Sequence, residues 1–241
     1  IDTSSVSIHD FLIKSRNQEF LADGGISGSP QDTLDLLFRN WKFSNVDVLF
    51  LSEDVDFDGE INGGIHLSGL YSRPSFLADL GIRELYFNKV RMGDLSVLST
   101  INERGEAVRT EIEILKNPKI ADTRTLHLTG DYYPERRKDN LDFRISLSNF
   151  VLKPFNPFFS EIFSDLEGFG AGEVEIGGEL SSPKLKGNIQ LMRAGLKVNY
   201  LNVAYDFAHQ VDIRENGFFF NNMVLYDSLG NTAELNGSIS H

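Results

Sequence analysis

This 241-residue chain has no cysteine, and it has one tryptophan, three methionines and seven prolines. Without thiols it forms neither disulfides nor thiolate metal centres. That absence suits an oxidising compartment, where a stray thiol is a hazard, and equally the cytosol. Positive charge is also short: 23 Lys and Arg stand against 35 Asp and Glu, a net charge of −12. Nucleic acid and anionic headgroups both need a basic footprint, so the composition argues against either as a partner. No run of eighteen apolar residues is present to cross a bilayer as a helix, and nothing resembles a signal peptide.

Linear signatures of chemistry are missing too. The five histidines, His9, His66, His127, His209 and His241, show no metal-ligand spacing and read as ordinary strand residues, so no metal site and no cofactor are expected. Asp54, Asp56, Asp58 and Gly59 copy the opening of a calcium loop, but its last ligand falls on Ile65, which has no carboxylate. The glycines Gly168, Gly170 and Gly172 resemble a phosphate-cradling loop, yet they lead into the alternating pattern from Val174 to Leu180 rather than a helix. No nucleophile elbow and no distinct carboxylate pair stand out, so the chain does not read as an enzyme.

What is present is alternation. Leu141, Phe143, Ile145 and Leu147 point one way, with Asp142, Arg144 and Ser146 the other. Val174 and Ile176 interleave with Glu173 and Glu175 in the same manner, and further strands are predicted over 46–51, 111–115 and 125–129. Asp58-Gly59, Asn62-Gly63, Asn216-Gly217 and Asn236-Gly237 are predicted hairpin turns, while Gly69, Gly130 and Gly178 are predicted bulges or strand exits. About fifteen strands joined by short turns make an antiparallel sheet. One short helix is expected near 157–165, where Pro157 suits a first helical position and Phe158, Phe159, Ile162 and Phe163 form an apolar stripe. It is expected to roof part of the greasy face.

A slide of 109 positions lays Gly63 on Gly172, Gly69 on Gly178 and Pro74 on Pro183, with aliphatic residues matched between and beyond them. The internal repeat pairs 59–95 with 168–204 and points to a modular β architecture. The expected organisation is therefore all-β: one elongated module over 1–241, a strongly curved antiparallel sheet forming a U-shaped or taco-like groove. Open edges at both ends make it read as a fragment of a longer repeat-built protein. The aliphatic lining, with no polar anchor, suits acyl chains at about 0.8 kcal/mol per buried methylene.

The phrases GEVEIGG at 172–178, PKLKGNIQL at 183–191, AGLKVNYLNVAY at 194–205, FFFNNMVLYD at 218–227 and GNTAELNG at 230–237 resemble the C-terminal region of the TamB family, in the AsmA-like superfamily of Gram-negative envelope proteins. The resemblance implies a periplasmic location and a parent protein anchored in the inner membrane. It implies phospholipid transport between the two membranes, or assistance to outer-membrane protein assembly with an Omp85-type barrel partner. It brings no catalytic residues. The candidate lining is Ile65, Leu67, Leu80, Phe143, Ile145, Leu147, Val174, Ile176, Ile189 and Leu191, with phospholipid acyl chains as the partner. The alternative is a structural β spacer whose apolar face is sealed by protein and carries no lipid.

Overall fold

The computed structural model describes residues 5–27, 29, 32–45, 55–69, 74–102, 104–120 and 123–240. Fourteen strands form one antiparallel sheet in sequence order, open at β1 and β14 rather than closed into a barrel. They are β1 (Val6–Ser15), β2 (Gln18–Ile26), β3 (Thr33–Lys42), β4 (Phe57–Ser68), β5 (Ser75–Phe87), β6 (Val90–Ile101), β7 (Val108–Leu115), β8 (Arg124–Tyr132), β9 (Leu141–Val151), β10 (Phe163–Glu179), β11 (Ser182–Val198), β12 (Val203–Arg214), β13 (Gly217–Asp227) and β14 (Thr232–Ile239). The strand expected over 46–51 and the acid Asp54 lie outside the described residues.

The sheet bends toward its apolar face. Phe76 of β5 stacks on Tyr132 of β8, ring centroids 6.0 Å apart, although β6 and β7 lie between them in the sheet. Cα atoms of β5 and β7 come within 8 Å, closer than the roughly 9.6 Å of second neighbours in a flat sheet. A row of bulges supplies part of the bend. Asp10, Asn40, Glu84, Asn149, Arg193 and Asn222, each on an odd-numbered strand, take left-handed φ between 47° and 54° where the pairing skips. Four of their backbone N–H groups donate to an Asx side chain on the next strand: Asp10 to Asp23 (3.1 Å), Asn40 to Asn62 (2.8 Å), Glu84 to Asp94 (2.9 Å) and Asn222 to Asn236 (2.7 Å). Each bulge raises the local twist, and successive bulges on alternate strands coil the sheet.

The 109-residue offset holds in the pairing. Leu34–Leu67, Leu36–Ile65 and Phe38–Gly63 map onto Phe143–Ile176, Ile145–Val174 and Leu147–Gly172. Bulges map as well, Asn40 to Asn149 and Glu84 to Arg193.

Turn chemistry differs from expectation in part. Asn216-Gly217 does join β12 to β13, but Asp58-Gly59, Asn62-Gly63 and Asn236-Gly237 sit inside strands. There Asn62 and Asn236 serve as bulge acceptors instead. The β5–β6 turn uses Asn88-Lys89, both with left-handed φ (47° and 64°), a pattern Asn tolerates. The helix near 157–165 is corrected to a 3-10 segment over Lys153–Phe159, and β10 has begun by Phe163. Pro154, not Pro157, occupies the start, and the Asn156 side chain bridges forward, accepting from Leu166 N (2.7 Å) and donating to Leu166 O (2.9 Å). Those bonds tie the segment to the extended chain of β10.

Candidate functional site

One face of the sheet is largely apolar, its main polar break being the buried hydroxyls of Ser99 and Thr110, hydrogen-bonded to each other at 3.0 Å on the rung beside that of Val97 and Ile112. Through the registered pairs, Phe38, Gly63, Leu80, Val97, Ile112, Leu128, Ile145, Val174, Gly187, Ile213 and Phe218 follow one another from β3 to β13. All ten sequence-nominated residues lie on this face, since the pairs Ile65–Ala78, Leu67–Phe76, Phe143–Ile176, Leu147–Gly172, Gly172–Ile189 and Gly170–Leu191 belong to the same or adjoining rungs.

Three buried clusters interrupt it. The largest gathers Phe38, Trp41, Ile61, Ile82, Leu85, Met92, Ile114 and Phe150. The 3-10 segment roofs this end: Phe155 meets Phe87 edge-on at 5.6 Å and Phe150 at 6.2 Å, while the Asn88 amide donates to Pro154 O at 2.7 Å. A second cluster of Val108, Tyr132 and Leu141 closes the opposite end, and a third of Ala194, Phe207, Met223 and Leu225 lies under β11–β13.

Between the first two clusters runs a half-buried strip whose first member, Leu80, packs on the largest of them. Leu80, Val97, Ile112, Leu128 and Ile145 are successive rung partners on β5–β9 and all are half-buried. Four strand spacings of about 4.8 Å make the strip roughly 19 Å long. The nominated residues divide accordingly. Ile65, Leu80 and Leu147 pack on the largest cluster, Phe143 and Ile176 on the second, and Leu191 on the third. Val174 is buried at 5% exposure. Leu67, Ile145 and Ile189 are half-buried and pack against none of the clusters. Val97, Ile112 and Leu128 were not nominated, although Ile112 and Leu128 sit in the alternations Glu-Ile-Glu-Ile and Leu-His-Leu that carried the signal.

The opposite face is charged. A cleft of about 690 Å³ lies there among Arg16, Asn40, Lys42, Asp58, Glu60, Arg83 and Glu84. Its charges offset one another: Arg83 pairs with Glu60 and holds that carboxyl below its usual range. Glu111, Glu113 and His127 also come together on this face, with ligand atoms all within 4.8 Å of one another. His127 Nε2 lies 2.8 Å from Glu111, and Arg124 pairs with Glu113. Single-strand spacing misses such a group because its members come from β7 and β8. The His127–Glu111 hydrogen bond and the Arg124–Glu113 ion pair account for the arrangement, and the apolar strip is the stronger candidate site.

Tyr132 marks one boundary of that strip, at 3% exposure, and burial raises its phenol above the usual value. A raised folded-state pKa keeps the proton on, so this contribution to stability is intact below the unfolded value of about 10 and is lost as pH rises past it. Urea unfolding from pH 8 upward is expected to show a steeper alkaline loss in the wild type than in Tyr132→Phe. Parallel curves would contradict it.

No family model, curated protein or solved structure matches the chain.

Proposed function

We propose that this chain is a periplasmic bridge segment whose bent sheet offers phospholipid acyl chains a hydrophobic path between inner and outer membranes. The reading includes support of outer-membrane protein assembly with an Omp85-type barrel partner, and it assigns no catalysis. One observation carries it: the strip from Leu80 to Ile145 is apolar, continuous and half-buried, with no second layer of sheet laid over it among the described residues. A domain core hides such a surface, and an aliphatic strip left partly open is suited to a guest that is itself hydrocarbon. The likeness of its phrases to the TamB family supports the same direction and supplies the compartment.

A structural spacer is the second reading, favoured by the aromatic roof and the two buried clusters that flank the strip. Site-specific photo-crosslinking in cells separates the two. A photoreactive residue at Leu128 or Ile145 is expected to give phospholipid adducts, whereas one at Arg144, on the charged face beside Ile145, is expected to give none. Adducts to protein alone, or equal lipid labelling from both faces, would support the spacer.

A further inference from the structure

The apolar face holds one polar donor without a partner. Trp41 is 8% exposed, pairs in register with Ile61 on that face, and packs against Phe20 with centroids 5.6 Å apart. Its indole Nε1 is buried and makes no hydrogen bond, alone among the buried side-chain polar atoms of the described residues. Buried indole N–H groups ordinarily find an acceptor, because water has been removed and nothing replaces it. An ordered water needs two to four polar partners, and Trp41 packs on Phe20 within the apolar cluster that also holds Phe38 and Ile61. The need at this position is not simply for aromatic bulk, which the chain elsewhere meets with 19 phenylalanines against this one tryptophan.

We infer that the Trp41 indole N–H is the anchor for the guest, donating to the carbonyl oxygen of an acyl ester. The half-buried side chains Phe20, Leu36, Ile65 and Leu80 pack against the same cluster, and a guest oxygen reaches the buried N–H by displacing packed side chains there. The inference rests on the groove reading above and deepens it. Pure hydrocarbon has no acceptor to offer, so the site prefers acyl lipids carrying a carbonyl and sets where along the trough the ester end stops. The tail then extends from Trp41 past Leu80 onto the half-buried strip.

The test uses a short-chain diacyl phosphatidylcholine below its micellar concentration, the matching diether, and decanoic acid. With one tryptophan, the protein gives one indole N–H resonance, and it is expected to move downfield with the diester and stay in place with the diether. Calorimetry is expected to show about fivefold tighter binding of the diester, the size of one neutral hydrogen bond. Trp41→Phe is expected to equalise the two ligands. Equal affinities and an unmoved resonance in the wild type overturn the anchor but leave the groove standing. A response to decanoic acid alone overturns the ester assignment, and no binding of any ligand overturns the groove itself. The resonance is read on the wild type, so the test survives a variant that fails to fold.

Discussion

Gly63→Val is expected to cost at least about 3 kcal/mol and to leave little folded protein at 37 °C. Gly63 has φ of +117°, a region that side chains with a Cβ rarely adopt. A Cβ there would lie 2.0 Å from Asp79 O and 3.0 Å from the Leu80 Cα, both backbone atoms of the neighbouring strand. Neither neighbour can rotate away, so relief requires β4 and β5 to separate where Phe38, Gly63 and Leu80 share a rung. A beta-branched residue adds overlap to the torsional strain. Gly81, one residue along β5 from Leu80, is the internal control: its Cβ would meet nothing within 4 Å, and its φ is not in the left-handed region. Gly81→Ala is expected to leave the urea midpoint unchanged or raise it slightly, by restricting the unfolded chain. Equal midpoints for both variants would show that the bend does not depend on Gly63.

Ile145→Asp is expected to lower phospholipid crosslinking, read from a photoreactive residue at Leu128, by at least tenfold while the protein stays folded. The position is half-buried and packs against none of the three clusters. A carboxylate there keeps part of its hydration, at a cost to stability of about 1–2 kcal/mol, yet it places a charge in the middle of an acyl path. Ile176→Asp makes the contrast, because Ile176 packs on Val108, Tyr132 and Leu141. Its replacement is expected to reduce stability by about 3 kcal/mol, so that lost transport and lost fold arrive together. Crosslinking that persists in a folded Ile145→Asp protein would remove the strip from the lipid path.

How much of this was legible in the residues differs from feature to feature. The alternation of Leu141, Phe143, Ile145 and Leu147 with charged neighbours defines a strand and its two faces. The same logic puts all ten nominated side chains on one face. The glycine-and-proline template points to a modular β architecture, and strand pairs 109 residues apart share a register. The turn signals misled where Asx-Gly pairs were present but not turning. Asn62 and Asn236 have the local chemistry of a hairpin corner, yet each accepts from a bulged neighbour on the preceding strand. The short aromatic segment was correctly read as apolar, but its extent and type were set by Asn156 reaching Leu166.

The sequence by itself determined the period of two, hence strands with one greasy face, and the short connections that make neighbours antiparallel. Only the tertiary structure decided how far that face is covered. Coverage depends on curvature, and curvature comes from bulges and close cross-strand approaches, such as Asn40 with Asn62 or Gly63 with Asp79, between residues 16 to 22 positions apart. Periodicity treats Phe143 and Ile145 as equals. The bend brings Phe143 against a buried cluster and leaves Ile145 on the half-buried strip, because Phe76 and Tyr132 converge across two intervening strands at the end of the sheet where Phe143 lies.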